Sequence, residues 1–124
     1  LAAIFEARGV VYERGAITER KARPDFLFPS LDAYADPDYP AGDLRMLGAK
    51  TSAKDRWRQV LTEAARIEEK HLASLQPAIS EDQTSEMREL GVQLVLPRGL
   101  HRTYTPAQQS WLWTLTDFVV EVGG

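Results

Sequence analysis

The sequence predicts a single α/β domain in which helices pack against a mixed β-sheet. Two kinds of segment share the chain of 124 residues. Short apolar runs bounded by turn residues are typical of strands, and longer runs with apolar residues three or four positions apart are typical of helices. The composition, 44% hydrophobic and 27% charged, suits one globular domain with one core. We therefore interpret residues 1–124 as one domain, and because the chain does not begin with methionine, we expect a fragment that lacks upstream elements.

The first half of the chain is predicted to supply a helix and three strands. Residues 1–8 have helical spacing, and Gly9 follows as a helix terminator. The β-prone stretches "VVYERG" and "ARPDFLFPS" are joined by residues 15–21, which we interpret as a hairpin connection. Prolines, a glycine and several acids predict a surface loop over residues 31–43. The next run, "LRMLGAK", predicts a strand that ends at Lys50.

The second half is predicted to contain three helices and two strands. Residues 53–75 predict the longest helix, because apolar residues recur at three and four positions, and Ser52 is the expected N-cap. A second helix is predicted at residues 81–90, and a third runs from its N-cap Thr105 through Leu115. Between these two helices, "VQLVLP" predicts a strand, and "DFVVEV" predicts a closing strand.

The charge distribution permits contact with nucleic acid without requiring it. The formal net charge is -3, yet residues 45–58 carry five basic side chains and one acid. Acids collect instead at residues 32–43 and 81–89, and a chain with segregated charge can present a basic face to phosphate. No apolar run approaches the ~20 residues of a membrane helix, and the N-terminus has no signal pattern. The absence of cysteine excludes disulfides and thiolate metal sites, which fits a cytoplasmic location.

The chemically informative residues begin with Pro24-Asp25 and Lys50. Metal-assisted cleavage of a phosphodiester requires carboxylates that hold a hard cation such as Mg²⁺, and a cation that offsets developing charge. If the strands of Asp25 and Lys50 are neighbours, both side chains can meet at the end of the sheet. The common nuclease pattern has a second acid two residues before the lysine, but Gly48 stands there. Glu63 can supply that acid only if its segment packs back across the strand end.

The order Pro24-Asp25, Lys50, Lys54-Asp55-Arg56, Glu63 resembles the catalytic domain of the EcoRII-type restriction endonucleases. In that branch of the PD-(D/E)xK superfamily the second acid lies on the following helix. The resemblance extends through "TER.ARPDFLFPSLDAY", "LGAKTSAKDRWRQVL.EAARIE" and "LVLPR.LH", and so covers most of the chain. It implies a restriction-endonuclease-like α/β/α sandwich with a central mixed sheet.

The resemblance also implies a function. Such a protein would be a type II restriction endonuclease of a restriction-modification system, and would act as a homodimer on double-stranded DNA. It would use Mg²⁺ to cut a CCWGG-like site and leave 5′-phosphate ends. Family members can carry an N-terminal domain that binds effector DNA.

Residue roles follow from the resemblance position by position. Asp25 and Glu63 would be the metal ligands, and Lys50 would be the catalytic lysine. Each also has a simpler interpretation: Asp25 as a turn acid, Lys50 as a solvated strand end, and Glu63 as the partner of Arg66 on a helix face. Glu6 could add an acid for a second metal; this prediction is left open.

The triplet Lys54, Asp55 and Arg56 matches the residues with which such enzymes read G·C pairs. Arginine and lysine donate to guanine O6 and N7, and aspartate accepts from cytosine N4. The alternative is an exposed, capped helix start. Arg58 is expected either to contact a phosphate or to lie at the surface, and contact of His101 with DNA is left open.

Two rival functions remain at this point. The first is a nuclease-fold module that binds DNA without cleaving it. The second is a structural or interaction domain with no nucleic-acid partner, which the acidic net charge and the three tryptophans keep open.

Overall fold

A mixed β-sheet organises the chain in the computed structural model, which describes residues 2–14, 25–54 and 56–123. Five strands lie in the order β1-β2-β3-β4-β5 within these residues. The β1–β2 and β2–β3 pairs are antiparallel, whereas the β3–β4 and β4–β5 pairs are parallel. The strands are β1 (Glu13–Arg14), β2 (Phe26–Phe28), β3 (Arg45–Lys50), β4 (Lys70–Ser74) and β5 (Val92–Val95). The predicted mixed sheet is thereby confirmed.

Helices cover both faces of this sheet. They are α1 (Ala2–Ala7), α2 (Leu31–Ala35), α3 (Glu81–Glu89), α4 (Pro106–Gln109) and α5 (Leu115–Glu121), with 3-10 helices at Ala41–Asp43, Trp57–Thr62 and Arg98–Thr103. Within the described ranges, none of them is long and apolar enough to cross a membrane.

Side chains alternate between the two faces along each strand, so the sheet separates two hydrophobic layers. One layer packs β2 and β3 against α1 and α5 and is rich in phenylalanine; it contains Phe5, Phe26, Phe28 and Phe118. The other layer contains Met46, Leu72 and Leu94 from the central strands, covered by Trp57, Val60 and Met87. Gly48 and Lys50 are two and four residues after Met46, so the face with Trp57 and Val60 is also the face of the candidate site.

The predicted helix at residues 53–75 is wrong. A 3-10 helix covers only Trp57–Thr62, an irregular stretch follows, and Lys70–Ser74 form a central strand. A strand buried on both faces shows a continuous apolar run rather than alternation, and such a run can imitate helical spacing. Ser52 is not an N-cap, because the first helical residue is Trp57; its Oγ donates instead to Gln76 Oε1 at 3.0 Å.

Three other elements also differ from the prediction. The closing segment forms α5 instead of a strand, and it begins with a capping box between Thr114 and Asp117. The helix capped by Thr105 ends at Gln109, and Trp113 then forms an isolated parallel bridge with Val95. The predicted loop over residues 31–43 contains α2 and a 3-10 turn.

The remaining predictions agree with the structure more closely. The helices α1 and α3 and the strands β3 and β5 lie where the pattern predicts them. Gly9 follows α1 with a φ of +68°, a backbone conformation that glycine adopts without strain.

Candidate active site

Asp25 lies beside β3, as the sequence predicts. Phe26 pairs with Leu47 in the antiparallel register, so Asp25, one residue earlier, lies opposite Gly48. Asp25 Oδ2 accepts a hydrogen bond from the backbone N–H of Ala49 at 2.7 Å. This bond fixes the carboxylate at the edge of β3 from which Lys50 projects, and it confirms that the two strands are neighbours.

The side chains of Val60 and Glu63 pack directly against the backbone of Gly48. A Cβ atom at this position would lie 2.8 Å from Val60 Cγ1 and 3.6 Å from Glu63 Oε1. A contact of 2.8 Å is too short for two carbon atoms. Glycine is required at position 48 because Val60 packs directly against it, and the Glu63 carboxylate lies above the same point of the strand.

Glu63 reaches this place without the predicted helix. The 3-10 helix Trp57–Thr62 ends just before it, and Glu63 is the extended residue at its C-terminal end. The turn carries Val60 into the core and returns the chain over the end of β3. The Glu63–Arg66 pair on one helix face is not formed, because there is no helix there.

Lys50 and Glu63 form the ion pair of the site. Lys50 Nζ lies 3.9 Å from Glu63 Oε2, and the side chains are only 16% and 9% exposed. Burial raises the pKa of Glu63 above its usual value. The positive charge of Lys50 lowers this pKa, the negative charge of Asp25 raises it, and the positive charge of Lys70 lowers it, in decreasing order of effect.

The arrangement fits a hard divalent cation. Glu63 Oε1 is buried and has no hydrogen-bond partner within the described part of the chain, and a buried carboxylate oxygen normally has one. Mg²⁺ prefers oxygen ligands and keeps several waters, so one or two carboxylates are enough to hold it. In residues 2–14, 25–54 and 56–123 there is no group of three or more acids or histidines that could hold a metal. The carboxylates of Asp25 and Glu63 are the donors available here.

The stretch after Glu63 is held from the outside by Arg66. Its guanidinium donates to the backbone carbonyls of Tyr34, Asp36 and Tyr39. The guanidinium also lies over the aromatic ring of Tyr34, 5.6 Å from the ring centre. Tyr34 Oη also accepts from the backbone N–H of Arg66 at 3.0 Å. Tyr34 is therefore a buried anchor for this stretch.

The proposed base-reading residues lie on the connection between Lys50 and Glu63. Lys54 and Arg56 are both exposed, in the turn that precedes the 3-10 helix. Asp55 lies outside the described residues, so the prediction for it is not tested. The predicted position in a first helical turn is wrong for Lys54 and Arg56, because the helix begins only at Trp57.

Arg58 has partners within the protein. Its guanidinium pairs with the carboxylate of Glu86 and lies over the ring of Trp57 at 4.5 Å from the ring centre.

Glu6 and His101, whose roles the sequence left open, also have hydrogen-bond partners within the protein. Glu6 accepts from Tyr12 Oη at 3.0 Å. His101 Nε2 lies 3.1 Å from the carbonyl oxygen of Leu96.

Sequence reasoning finds the structural role of neither Arg66 nor Lys70. Arg66 is considered only as a helix-face partner of Glu63, and Lys70 lies on the polar face of the same predicted helix, so the helical pattern carries no signal for either role. In the structure Lys70 is only 5% exposed. A lysine that opens an apolar strand-like run, "KHLAS", would have been the useful signal, because lysine is rarely buried without partners.

The fold defines the class of protein. Two solved structures share it: metal-depleted Ecl18kI in complex with uncleaved, modified DNA (TM-score 0.80, 22% identity) and metal-depleted Ecl18kI in complex with uncleaved DNA (TM-score 0.79, 20% identity). Each match covers 98% of this chain and 41% of the other. The chain thus has the α/β fold of the restriction endonucleases, which confirms the predicted fold class.

The family is narrower than the fold. Residues 1–119 match the family described as the EcoRII C terminal. The type II restriction enzyme EcoRII of Escherichia coli is 51% identical over 109 residues, which is 88% of this chain and 27% of that enzyme. The chain belongs to the EcoRII C-terminal family, and the predicted resemblance is confirmed. It spans about a quarter of the length of this curated relative.

Proposed function

We propose that this chain is the catalytic part of a type II site-specific deoxyribonuclease that uses Mg²⁺ to hydrolyse double-stranded DNA. The observation that carries the proposal is the convergence of Asp25, Lys50 and Glu63 at one end of β3. Asp25 binds the backbone of Ala49, Lys50 forms a buried ion pair with Glu63, and a buried Glu63 oxygen has no partner among the described residues. Family membership supports the same activity, since the relative EcoRII is a type II restriction enzyme.

The proposed chemistry divides the roles among these three residues. Asp25 and Glu63 would hold the metal ion, which when bound would stabilise negative charge on the phosphate oxygens. Lys50 would orient the attacking water and offset charge that develops on phosphorus-bound oxygen. The water oxygen would form a bond to phosphorus as it loses a proton to solvent, while the bond to the 3′ oxygen breaks and that oxygen takes up a proton from solvent. The products are a 5′-phosphate and a 3′-hydroxyl.

We further propose that the exposed connection after β3 reads the target sequence. Lys54, Asp55 and Arg56 would contact base edges in the major groove, with arginine and lysine on guanine and aspartate on cytosine. Arg58 is a weaker candidate, because Glu86 and Trp57 already engage its guanidinium. A phosphate contact would require Arg58 to leave these partners.

Finer features of the proposal follow from the family. They are a CCWGG-like target, a homodimer that cuts both strands, a cytoplasmic location, and an N-terminal effector-DNA-binding domain in the full-length protein. The Ecl18kI structures with the same fold contain DNA, which supports double-stranded DNA as the partner.

The decisive experiment is plasmid cleavage by the full-length protein. A plasmid with CCWGG sites is incubated with Mg²⁺ or with EDTA, beside a plasmid that lacks the sites. Discrete fragments that end at these sites only with Mg²⁺ are the expected result. Lys50→Ala should abolish cleavage and retain specific binding, because the lysine acts on the reacting phosphate. Equal loss of cleavage and binding would contradict the catalytic role of Lys50.

The same experiment distinguishes the alternative function. A folded protein that binds CCWGG duplexes but leaves them intact in Mg²⁺ would be a DNA-binding module that no longer cleaves. Absence of duplex binding at low salt would exclude both functions, since phosphate contacts make binding strongest there.

A further inference from the structure

A second lysine lies inside the protein close to the candidate site. Lys70 is the first residue of β4, and its side chain is 5% exposed. A buried ammonium is costly unless acceptors surround it. Lys70 Nζ donates to the backbone carbonyl of Ala64 at 2.8 Å and to that of Ile67. Both acceptors belong to the irregular stretch that begins at Glu63.

The residue after Glu63 has an unusual backbone conformation. Ala64 has a φ of +49°, in the left-handed region that costs a residue with a side chain ~1–2 kcal/mol. Such a conformation persists only where the surroundings enforce it. The carbonyl oxygen of Ala64 accepts from Lys70 Nζ and also from the backbone N–H of Ile67 at 2.9 Å. This tight turn sets the direction in which Glu63 leaves the chain.

The two anchors of this stretch act from opposite sides. Arg66 ties it outward to the backbone of residues 34–39, whereas Lys70 ties it inward to the sheet. Of the two, only Lys70 carries a charge that lowers the pKa of Glu63. The inner anchor is therefore the one coupled to the candidate metal ligand.

We infer that Lys70 is a positioning residue for Glu63. By binding the carbonyl oxygens of Ala64 and Ile67, it holds the turn that directs the Glu63 carboxylate over Gly48 and towards Lys50. This inference rests on the proposed role of Glu63 as a metal ligand. Lysine suits the task because its flexible stem spans from the strand to the turn and its ammonium offers three donors.

The first test is metal binding without DNA. Mn²⁺ is titrated by calorimetry into the wild type, into Lys70→Met and into Gln108→Leu. The methionine keeps the length of the stem and removes the ammonium. Gln108 is a matched control, since it is equally buried and its amide donates to Ile79 and Thr84, away from the Glu63 stretch. Lys70→Met should raise the Mn²⁺ dissociation constant ~10–100-fold, and Gln108→Leu should leave it unchanged.

The second test observes the turn directly. The N–H of Ile67 donates to Ala64 O, so its hydrogen exchange measures whether the turn stays closed. In Lys70→Met, hydrogen exchange of the Ile67 N–H should be faster than the loss of global stability explains. In Gln108→Leu, any change in this exchange should be explained by the change in global stability alone. If Lys70→Met does not fold, Lys70→Gln, which retains an amide donor, takes its place.

The possible outcomes separate this inference from the proposed function. Unchanged Mn²⁺ affinity, or unchanged exchange of Ile67, in a folded Lys70 variant overturns the positioning role. A wild-type protein that binds Mn²⁺ but does not cleave DNA overturns the proposed function. In that second case, a selective loss of Mn²⁺ binding in Lys70→Met would still establish the positioning role.

Discussion

Adding one methyl group at Gly48 should destabilise the protein and disturb the candidate site. The new Cβ of Gly48→Ala would lie 2.8 Å from Val60 Cγ1 and 3.7 Å from Leu72 Cδ1. Val60 and its neighbour Trp57 are fully buried, so neither can move away cheaply. Overpacking of this kind lowers the free energy of unfolding by ~1–3 kcal/mol. Replacing glycine also reduces the conformational freedom of the unfolded chain, which offsets up to ~1 kcal/mol of that loss. We expect a net loss of ~1–2 kcal/mol.

The free energy of unfolding is measured in urea, with tryptophan fluorescence as the signal. Gly99→Ala is the matched control, because a Cβ there meets nothing within 4 Å; it should change the stability by less than ~0.5 kcal/mol. Val60→Ala removes the clashing methyl, so the double variant should be more stable than the sum of the two single changes by ~0.5–3 kcal/mol. Wild-type stability of Gly48→Ala, or strict additivity in the double variant, would refute the steric argument.

Three further predictions test other parts of the structure. Burial lowers the pKa of His71 to about 4. Below the pKa of ~6.5 that histidine has in the unfolded chain, the unfolded chain therefore binds a proton at His71, whereas the folded protein does not. Stability should therefore fall by ~3 kcal/mol as the pH drops from about 6.5 to 4. In His71→Phe, the free energy of unfolding measured in urea should depend much less on pH across that window. An unchanged slope of stability against pH would contradict the lowered pKa of His71. Tyr34→Phe leaves the N–H of Arg66 without its acceptor and should cost ~1–3 kcal/mol in the same assay, whereas no loss would show that water replaces the hydroxyl. Arg56→Ala should weaken cognate binding in a gel-shift titration by ~1–3 kcal/mol and relax one base pair; equal weakening on every duplex would make Arg56 a phosphate contact.

Much of the sheet could be predicted from the sequence because local signals and packing agree there. The run "LRMLGAK" is apolar, is bounded by turn residues and forms β3 as predicted. The Ser80 cap and the glycine after α3 mark a helix whose ends are decided locally. The adjacency of the strands of Asp25 and Lys50 was only a condition at the sequence level, and the β2–β3 pairing meets it.

The connection that carries Glu63 could not be predicted in the same way. Trp57, Val60, Ile67 and Leu72 are all buried and recur at helical intervals, but they belong to a 3-10 turn, an irregular stretch and a strand. What holds them apart from a helix is tertiary: Lys70–Ser74 pair with β3 and β5, and the ammonium of Lys70 donates to the carbonyl of Ala64, which a helix would satisfy internally. Local periodicity contains no information about those distant partners.

The segment between Lys50 and Lys70 has a consequence for how such a protein can diversify. The proposed base-reading residues Lys54 and Arg56 and the acid Glu63 lie on one short connection between two parallel strands. Where the acid is instead part of the strand, a recognition loop can be exchanged without touching the reactive centre. If these residues read the target as proposed, an insertion here that alters target choice would also shift Glu63 relative to Lys50. Changes of specificity and retention of cutting would then be inherited together, and successful variants should carry compensating changes within this one connection.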